Sequence, residues 1–221
     1  MVDKKKSSAF DSLQYWRERH DAFKMDPTGV GNVNFSAEEN EAIYDRARTN
    51  MQQIVSNLDI PPAARCLDLG CGIGKMTPAF LHHGCSYTGV DISKTAIDSA
   101  SAEYPDAEFI VGNIAELPFD EPFDVILERT VLIHLVEDDY WNSVLREVKR
   151  LLAKDGVFLL HDHLPLRAED DGKVVDHVTK RTYEDYEEAF ANLGLKFDLE
   201  LRNQIENRMQ LSRYMHFVTH Q

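Results

Sequence analysis

The fold of this chain is decided by the stretch Leu67-Asp68-Leu69-Gly70-Cys71-Gly72-Ile73-Gly74, an apolar run with one acid that breaks into alternating glycines. A second apolar run, residues 87–90, leads into Asp91, seventeen residues after Gly74. Glycines let the backbone turn tightly and approach a ligand closely, and a carboxylate at the tip of the next strand can hold ribose hydroxyls. This arrangement predicts a nucleoside-binding α/β domain.

The composition limits the class of protein further. A chain of 221 residues suits one domain with an added cap and is long enough to bury a full core. The formal net charge of −14 disfavours duplex DNA or an anionic membrane surface as main partner, since both reward clustered Lys and Arg. Three cysteines without a Cys-x-x-Cys spacing favour neither a disulfide framework nor a structural zinc site. No apolar run reaches the roughly 18 residues of a membrane span and the N-terminus has no signal-peptide core, so we expect a cytoplasmic protein.

The first part of the chain, residues 1–60, is predicted to form an N-terminal helical cap. One helix contains Trp16 within a run of helically spaced apolar residues. A longer helix begins at a capping box made by Ser36 and Glu39, carries one apolar stripe, and is expected to end at Pro61.

The second part, residues 61–221, alternates short apolar runs with helical patterns. Strands are predicted at 65–69, 86–90, 108–111, 123–128 and 157–161, and helices at 75–83, 94–103 and 140–153. This is the βαβ alternation of a doubly wound, mostly parallel α/β sheet. After a helix capped by Thr182, strand patterns at 196–201 and 214–219 with no helix between them predict an antiparallel C-terminal hairpin at the sheet edge. Seven strands are therefore expected, with residues 164–181 forming a loop over their ends.

The glycine spacing also indicates which nucleoside is bound. In the dinucleotide pattern Gly-x-Gly-x-x-Gly the helix N-terminus receives a pyrophosphate, but here the third glycine, Gly74, comes one residue earlier. Asp68 precedes the loop, where a carboxylate would repel a pyrophosphate and attract an ammonium group. A ligand with an amino acid end, a ribose and an adenine therefore fits better than NAD.

At this point the chain resembles the class I S-adenosylmethionine-dependent methyltransferases, over roughly residues 60–221. Motifs similar to those of the family occur in order at 67–74, at Asp91, at 109–114 with 117–119, at 123–129 with 131–135, and at 147–156. The resemblance implies a Rossmann-like methyltransferase fold and S-adenosyl-L-methionine as cofactor. The residues expected to bind it are Asp68, Gly70, Cys71, Gly72, Gly74, Asp91, Ile92, Asn113, Ile114, Glu128 and Arg129.

Three positions depart from the family pattern or distinguish among its members. Asn113 stands where the family usually has Asp, and its amide oxygen can still accept a hydrogen bond from the adenine amino group. Glu128 and Arg129 resemble the thiol and thiopurine-type enzymes more than the catechol type, which binds magnesium with acids near this point. No metal is therefore expected.

The acceptor side of the site is predicted around His134, which follows the fourth strand. A neutral imidazole there could accept a proton from an attacking hydroxyl or amine, although a packing histidine is the alternative. Tyr15, Trp16 and His20 on the first helix, with His134 and His163, are the candidate substrate-binding residues. His163 could form a metal pair with His161, but without a third ligand a polar wall of the cleft is the preferred role.

These observations predict an enzyme that transfers a methyl group by in-line displacement to an O, N or S atom of a small molecule. Nucleic acid and membrane are not expected as partners. Two alternatives remain: a non-catalytic module that binds adenosyl nucleosides on the same fold, and an NAD-dependent oxidoreductase, which the glycine spacing and Asp68 disfavour.

Overall fold

The computed structural model describes residues 11–23, 34–61, 63–165 and 177–221. The strands are β1 (Arg65–Leu69), β2 (Ser86–Asp91), β3 (Glu108–Val111), β4 (Phe123–Arg129), β5 (Leu152–His161), β6 (Leu195–Phe197) and β7 (Met215–His220). The helices are α1 (Ser12–Phe23), α2 (Ala37–Asn57), α3 (Thr77–Leu81), α4 (Lys94–Glu103), α5 (Asp138–Leu151), α6 (Tyr183–Asn192) and α7 (Leu199–Glu206), with a 3-10 turn at Leu132–His134.

Within these residues, seven strands form one sheet in the order β3-β2-β1-β4-β5-β7-β6. The strands β1 to β5 are parallel, and β7 runs antiparallel to both of its neighbours. The predicted α/β class with a mostly parallel sheet is confirmed. The chain order reverses between β1 and β4, so the carboxyl ends of these two strands border the crevice where this class of fold binds ligands.

The sheet is buried on both faces, and the strand period of two assigns residues to each face. Leu67 and Ile126 pack in one apolar cluster with α5, while Cys66 and Leu127 pack in the other with α2. Continuous apolar strands with a helix layer on either side are what a parallel sheet requires.

The helix starts follow the predicted caps. Ser36 accepts a hydrogen bond from the Glu39 backbone N–H, and the Glu39 carboxylate accepts one from the Ser36 N–H, so the capping box is confirmed. The helix α2 ends at Asn57, earlier than the predicted end at Pro61, because Leu58 already has an extended backbone. Thr182 caps α6 as predicted.

The C-terminal region differs from the prediction in one element. The strand predicted at 196–201 ends at Phe197, because the Asp198 side chain accepts a hydrogen bond from the Leu201 N–H at 2.8 Å and starts α7. A helix therefore separates β6 from β7. The antiparallel pairing of β6 and β7 is confirmed, and β7 inserts between β5 and β6.

Parts of two predicted segments, the cap at 1–60 and the loop at 164–181, lie outside the described residues. None of the helices that the structure describes is both long and apolar enough to cross a membrane.

Candidate functional site

A cavity opens at the carboxyl ends of β1, β2 and β4. It contains about 870 Å³ of space including its open mouth. The residues that line it are Leu13, Trp16, His20, Tyr44, Asp68, Gly70, Cys71, Gly72, Ile73, Lys75, Met76, Asp91, Ile92, Gly112, Ile114, Arg129, Thr130, Val131 and His134. Its position at the reversal of strand order is the usual ligand site of an open α/β sheet.

The glycine loop after β1 joins the ends of three strands. The N–H groups of Gly70 and Cys71 both donate to the Val90 carbonyl at the end of β2, at 2.8 and 3.1 Å. Gly70 has a φ of +70°, and a Cβ there would lie 2.5 Å from a methyl carbon of Val131 after β4. Only glycine satisfies both the left-handed backbone and this close approach.

Asp68 provides a buried carboxyl at the wall of the cavity. The Tyr87 hydroxyl donates to its Oδ2 at 2.5 Å. Burial raises the pKa of Asp68 to about 7, while the hydrogen bond from Tyr87 opposes that rise. A cation beside this carboxyl would favour its ionised form.

Asp91 holds the glycine loop and the following turn together. Its Oδ2 accepts from the Gly72 N–H and its Oδ1 from the Ser93 N–H, both at 2.9 Å. A carboxylate oxygen has two lone pairs, so each oxygen keeps acceptor capacity. Burial raises the pKa of Asp91, and the nearby His20 opposes the rise.

Arg129, the last residue of β4, brings a cation into the same cavity. Among the described residues no carboxylate forms an ion pair with it. Its guanidinium lies 5.3 Å from the centre of the Tyr44 ring. Lys75, by contrast, is paired with Glu41 at 2.8 Å.

His134 lies in the 3-10 turn after β4. Its Nδ1 is 2.8 Å from the His177 carbonyl oxygen. A carbonyl only accepts, so we assign the proton to Nδ1, which leaves the lone pair on Nε2. Burial lowers the pKa of His134 to about 4, so the ring is neutral at neutral pH.

The helix α1 covers the cavity and contacts both of its ends. The Trp16 ring meets His134 edge-on with 4.7 Å between ring centroids, and the Ser12 hydroxyl donates to the His134 carbonyl at 2.8 Å. Near the other end of α1, His20 lies with its Nδ1 3.8 Å from Asp91 Oδ1. Trp16 and His20 therefore both line the cavity.

Five predicted site residues do not line the cavity: Tyr15, Gly74, Asn113, Glu128 and His163. Tyr15 stacks on His177 at 5.0 Å, and His163 packs against the Tyr214 ring at 5.3 Å. A Cβ at Gly74 would lie 3.0 Å from the Tyr104 ring, so this glycine serves the turn.

Glu128 requires a correction with a clear physical cause. The strand period of two turns it toward the opposite face of the sheet from Arg129. Its Oε1 accepts from the N–H groups of Val131 and Leu132, at 2.5 and 2.9 Å, and the side chain is fully buried. Glu128 therefore holds the turn that carries His134, and it does not line the cavity.

The Asn113 side chain is also engaged in hydrogen bonds within the protein. Its Oδ1 accepts from the Ala115 N–H at 3.0 Å and from the Tyr140 hydroxyl at 2.7 Å. Its neighbours Gly112 and Ile114 line the cavity instead.

Sequence reasoning missed several lining residues, chiefly Tyr44, Lys75 and Met76. Tyr44 belongs to the apolar stripe of α2 and carries no sequence signal that separates it from the core. Lys75 and Met76 directly follow the glycine loop, and that adjacency was the available signal. In the described part of the chain no three His, Cys, Asp or Glu side chains are grouped to hold a metal ion.

Residues 67–160 match a family model described as a methyltransferase domain. An uncharacterized methyltransferase of Synechocystis is 32% identical over 112 residues, which cover 50% of this chain and 53% of that protein. The uncharacterized methyltransferase YcgJ of Bacillus subtilis is 35% identical over 45% of this chain and 40% of its own length. The chain thus spans about half the length of the curated relatives it matches.

Solved structures share this fold. Magnesium protoporphyrin IX methyltransferase from Synechocystis, solved with bound S-adenosylmethionine, superimposes with a TM-score of 0.64 at 16% identity and covers 96% of this chain and 97% of its own. Mitomycin 7-O-methyltransferase gives a TM-score of 0.67 at 17% identity, over 96% of this chain and 61% of its own. The fold is that of the Rossmann-like methyltransferases. The segment 67–160 is therefore similar to a methyltransferase domain, and the solved structures share the fold of the whole sheet.

Proposed function

We propose that this protein is an enzyme that uses S-adenosyl-L-methionine to methylate an O, N or S atom of a small molecule. The observation that carries the proposal is the arrangement of charges in the cavity. Asp68, Arg129 and Asp91 stand around one glycine loop. They complement, in turn, an ammonium group, a carboxylate and a pair of ribose hydroxyls.

The residues present fit this cofactor better than a dinucleotide. Asp68 is a buried carboxyl that a ligand ammonium would keep ionised, and Arg129 has no ion-pair partner among the described residues. A pyrophosphate in the same place would meet the carboxyl of Asp68 instead of a cation. Gly112 and Ile114 supply a flat, mostly apolar wall suited to an adenine ring.

When bound, the cofactor supplies a methyl group already activated by a sulfonium, so transfer depends mainly on proximity and orientation. Trp16 and Tyr44 bring aromatic rings to the wall of the cavity, where they can pack against a flat acceptor. His134 offers a neutral Nε2 that can orient the acceptor through a hydrogen bond and take up its proton. Residues 1–60 act in this proposal as the cap, and residues 61–221 as the domain that binds the cofactor.

A small-molecule acceptor is supported by three observations. The helix α1 covers the cavity with Leu13, Trp16 and His20, which favours an acceptor small enough to lie beneath it. The net charge of −14 disfavours nucleic acid. Two of the structural neighbours are named for porphyrin and mitomycin methylation.

Calorimetric titration with S-adenosylmethionine, S-adenosylhomocysteine and NAD tests the proposal. We expect the first two to bind and NAD not to bind. A screen with methyl-labelled cofactor over thiols, phenols, amines and carboxylic acids then identifies the acceptor. Absence of adenosyl-ligand binding refutes the proposal, and binding without transfer to any acceptor class favours the non-catalytic module.

A further inference from the structure

His20 is the most deeply buried residue of α1, with 4% of its surface exposed. Its Nδ1 has no hydrogen-bond partner among the described residues. A buried ring nitrogen without a partner costs free energy, so such an atom at a cavity wall points to a group that a ligand supplies.

This nitrogen lies near the carboxylate of Asp91. The Nδ1 atom lies 3.8 Å from Asp91 Oδ1, which is beyond hydrogen-bonding distance. The two atoms are nevertheless close enough to contact the same hydroxyl oxygen. A hydroxyl can donate to the carboxylate and also engage the imidazole, because it is both a donor and an acceptor.

We propose that His20 is a ribose-binding residue, supplied by helix α1, and that the ribose diol is held between His20 and Asp91. This inference rests on the proposed function and reassigns His20 from the acceptor to the cofactor. Asp91 already accepts from the Gly72 and Ser93 N–H groups, so a hydroxyl in the gap would complete the hydrogen bonding of both side chains.

The helix α1 links this contact to the acceptor side of the cavity. Asp21 on α1 accepts a hydrogen bond from the Thr95 hydroxyl at 2.5 Å. This bond anchors the helix close to the proposed ribose contact. Through Ser12 and Trp16 the same helix contacts His134 on the acceptor side. A ribose contact at His20 would therefore link cofactor binding to the helix that forms the acceptor wall.

Calorimetry with two variants of one position tests the ribose contact. His20→Phe keeps an aromatic ring and removes the ring nitrogens, while His20→Asn retains a polar atom near the position of Nδ1. We expect His20→Phe to weaken S-adenosylhomocysteine binding about 3- to 10-fold, the effect of one hydrogen bond. His20→Asn should bind more tightly than His20→Phe. Glu18→Gln, on the exposed side of the same helix, is the control and should bind as the wild type does.

The 2′-deoxy and 3′-deoxy analogues of S-adenosylhomocysteine separate a ribose contact from packing. For the analogue that lacks the contacted hydroxyl, wild type and His20→Phe should bind equally. If His20→Phe loses the same affinity for S-adenosylhomocysteine and for both deoxy analogues, or loses affinity for none of them, the assignment of His20 is overturned. Failure of the wild type to bind S-adenosylhomocysteine overturns the proposed function as well.

Amide hydrogen exchange tests the coupling to the helix. S-adenosylhomocysteine should slow exchange in α1 of the wild type and of Glu18→Gln, and this slowing should be reduced in His20→Phe. Exchange in α1 that does not respond to the ligand in the wild type overturns this coupling.

Discussion

Asp68→Asn is expected to change how the stability of the unliganded protein depends on pH. Burial raises the pKa of Asp68 from 3.8 to about 7. Because the folded pKa exceeds the unfolded one, the stability contributed by the protonated carboxyl is complete below pH 4 and is lost as the pH rises through about 7. At about 1.4 kcal/mol for each pH unit of difference, the full loss is about 4 kcal/mol.

Urea unfolding of both proteins between pH 5.5 and pH 8 measures this effect. The Asn side chain does not titrate, so the variant should gain about 2 kcal/mol relative to the wild type across that range. Tyr87→Phe is a second variant for the same measurement. Removing the hydrogen bond from Tyr87 should raise the pKa of Asp68 further. A difference between wild type and Asp68→Asn that stays constant with pH would refute the reasoning.

The same ionisation should appear in ligand binding. The ammonium of S-adenosylhomocysteine requires the ionised carboxyl, so wild-type affinity should increase between pH 6 and pH 8 while that of Asp68→Asn does not. Parallel pH profiles for the two proteins would indicate that Asp68 does not meet the ammonium.

Three further substitutions test separate parts of the site. Asp91→Asn should weaken S-adenosylhomocysteine binding by about 10-fold or more, because a charged hydrogen bond becomes a neutral one; unchanged affinity in calorimetry contradicts the ribose assignment. His134→Ala should lower turnover about 100-fold while keeping cofactor affinity, measured with the acceptor found in the labelled screen; wild-type turnover would return His134 to a packing role. Gly70→Ala should cost about 2–4 kcal/mol in urea unfolding, from the left-handed φ and the collision with Val131. Its control is Gly84→Ala, at φ +82° in open space, which should cost only about 1–2 kcal/mol; equal costs would remove Val131 from the explanation.

Much of the fold could be predicted because its signals are local. The apolar runs of the inner strands and the caps at Ser36 and Thr182 each lie within a few residues of the element they define. The helix α7 was missed because residues 195–201 alternate strictly between apolar and polar, which is the period of a strand. The Asp198 side chain caps a helix at this point in spite of the alternation. The sequence pattern alone does not show whether the helix cap or the strand period prevails.

The site could be predicted where its residues are adjacent in sequence or end neighbouring strands. Asp68 and the glycines are adjacent in sequence, and Asp91 ends the neighbouring strand. Glu128 and Arg129 are both expected to bind the cofactor because the motif at 123–129 resembles that of the family, but the pleat of the strand decides which of the two faces the cavity. Tyr44 arrives from a distant helix, so only the packed structure identifies it.

The insertion of β7 has a consequence for how the molecule folds. The strand β6 pairs only with β7 in the described sheet, and β7 comes later in the chain than both of its neighbours. Both edges of β7 therefore form their backbone hydrogen bonds with strands that precede it in the chain. Contacts of this range form late and slow folding. During synthesis, one edge of β5 and the whole of β6 remain unpaired until residues 215–220 have left the ribosome. Such exposed edges are sites of aggregation, so the growing chain is most vulnerable just before its sheet is completed.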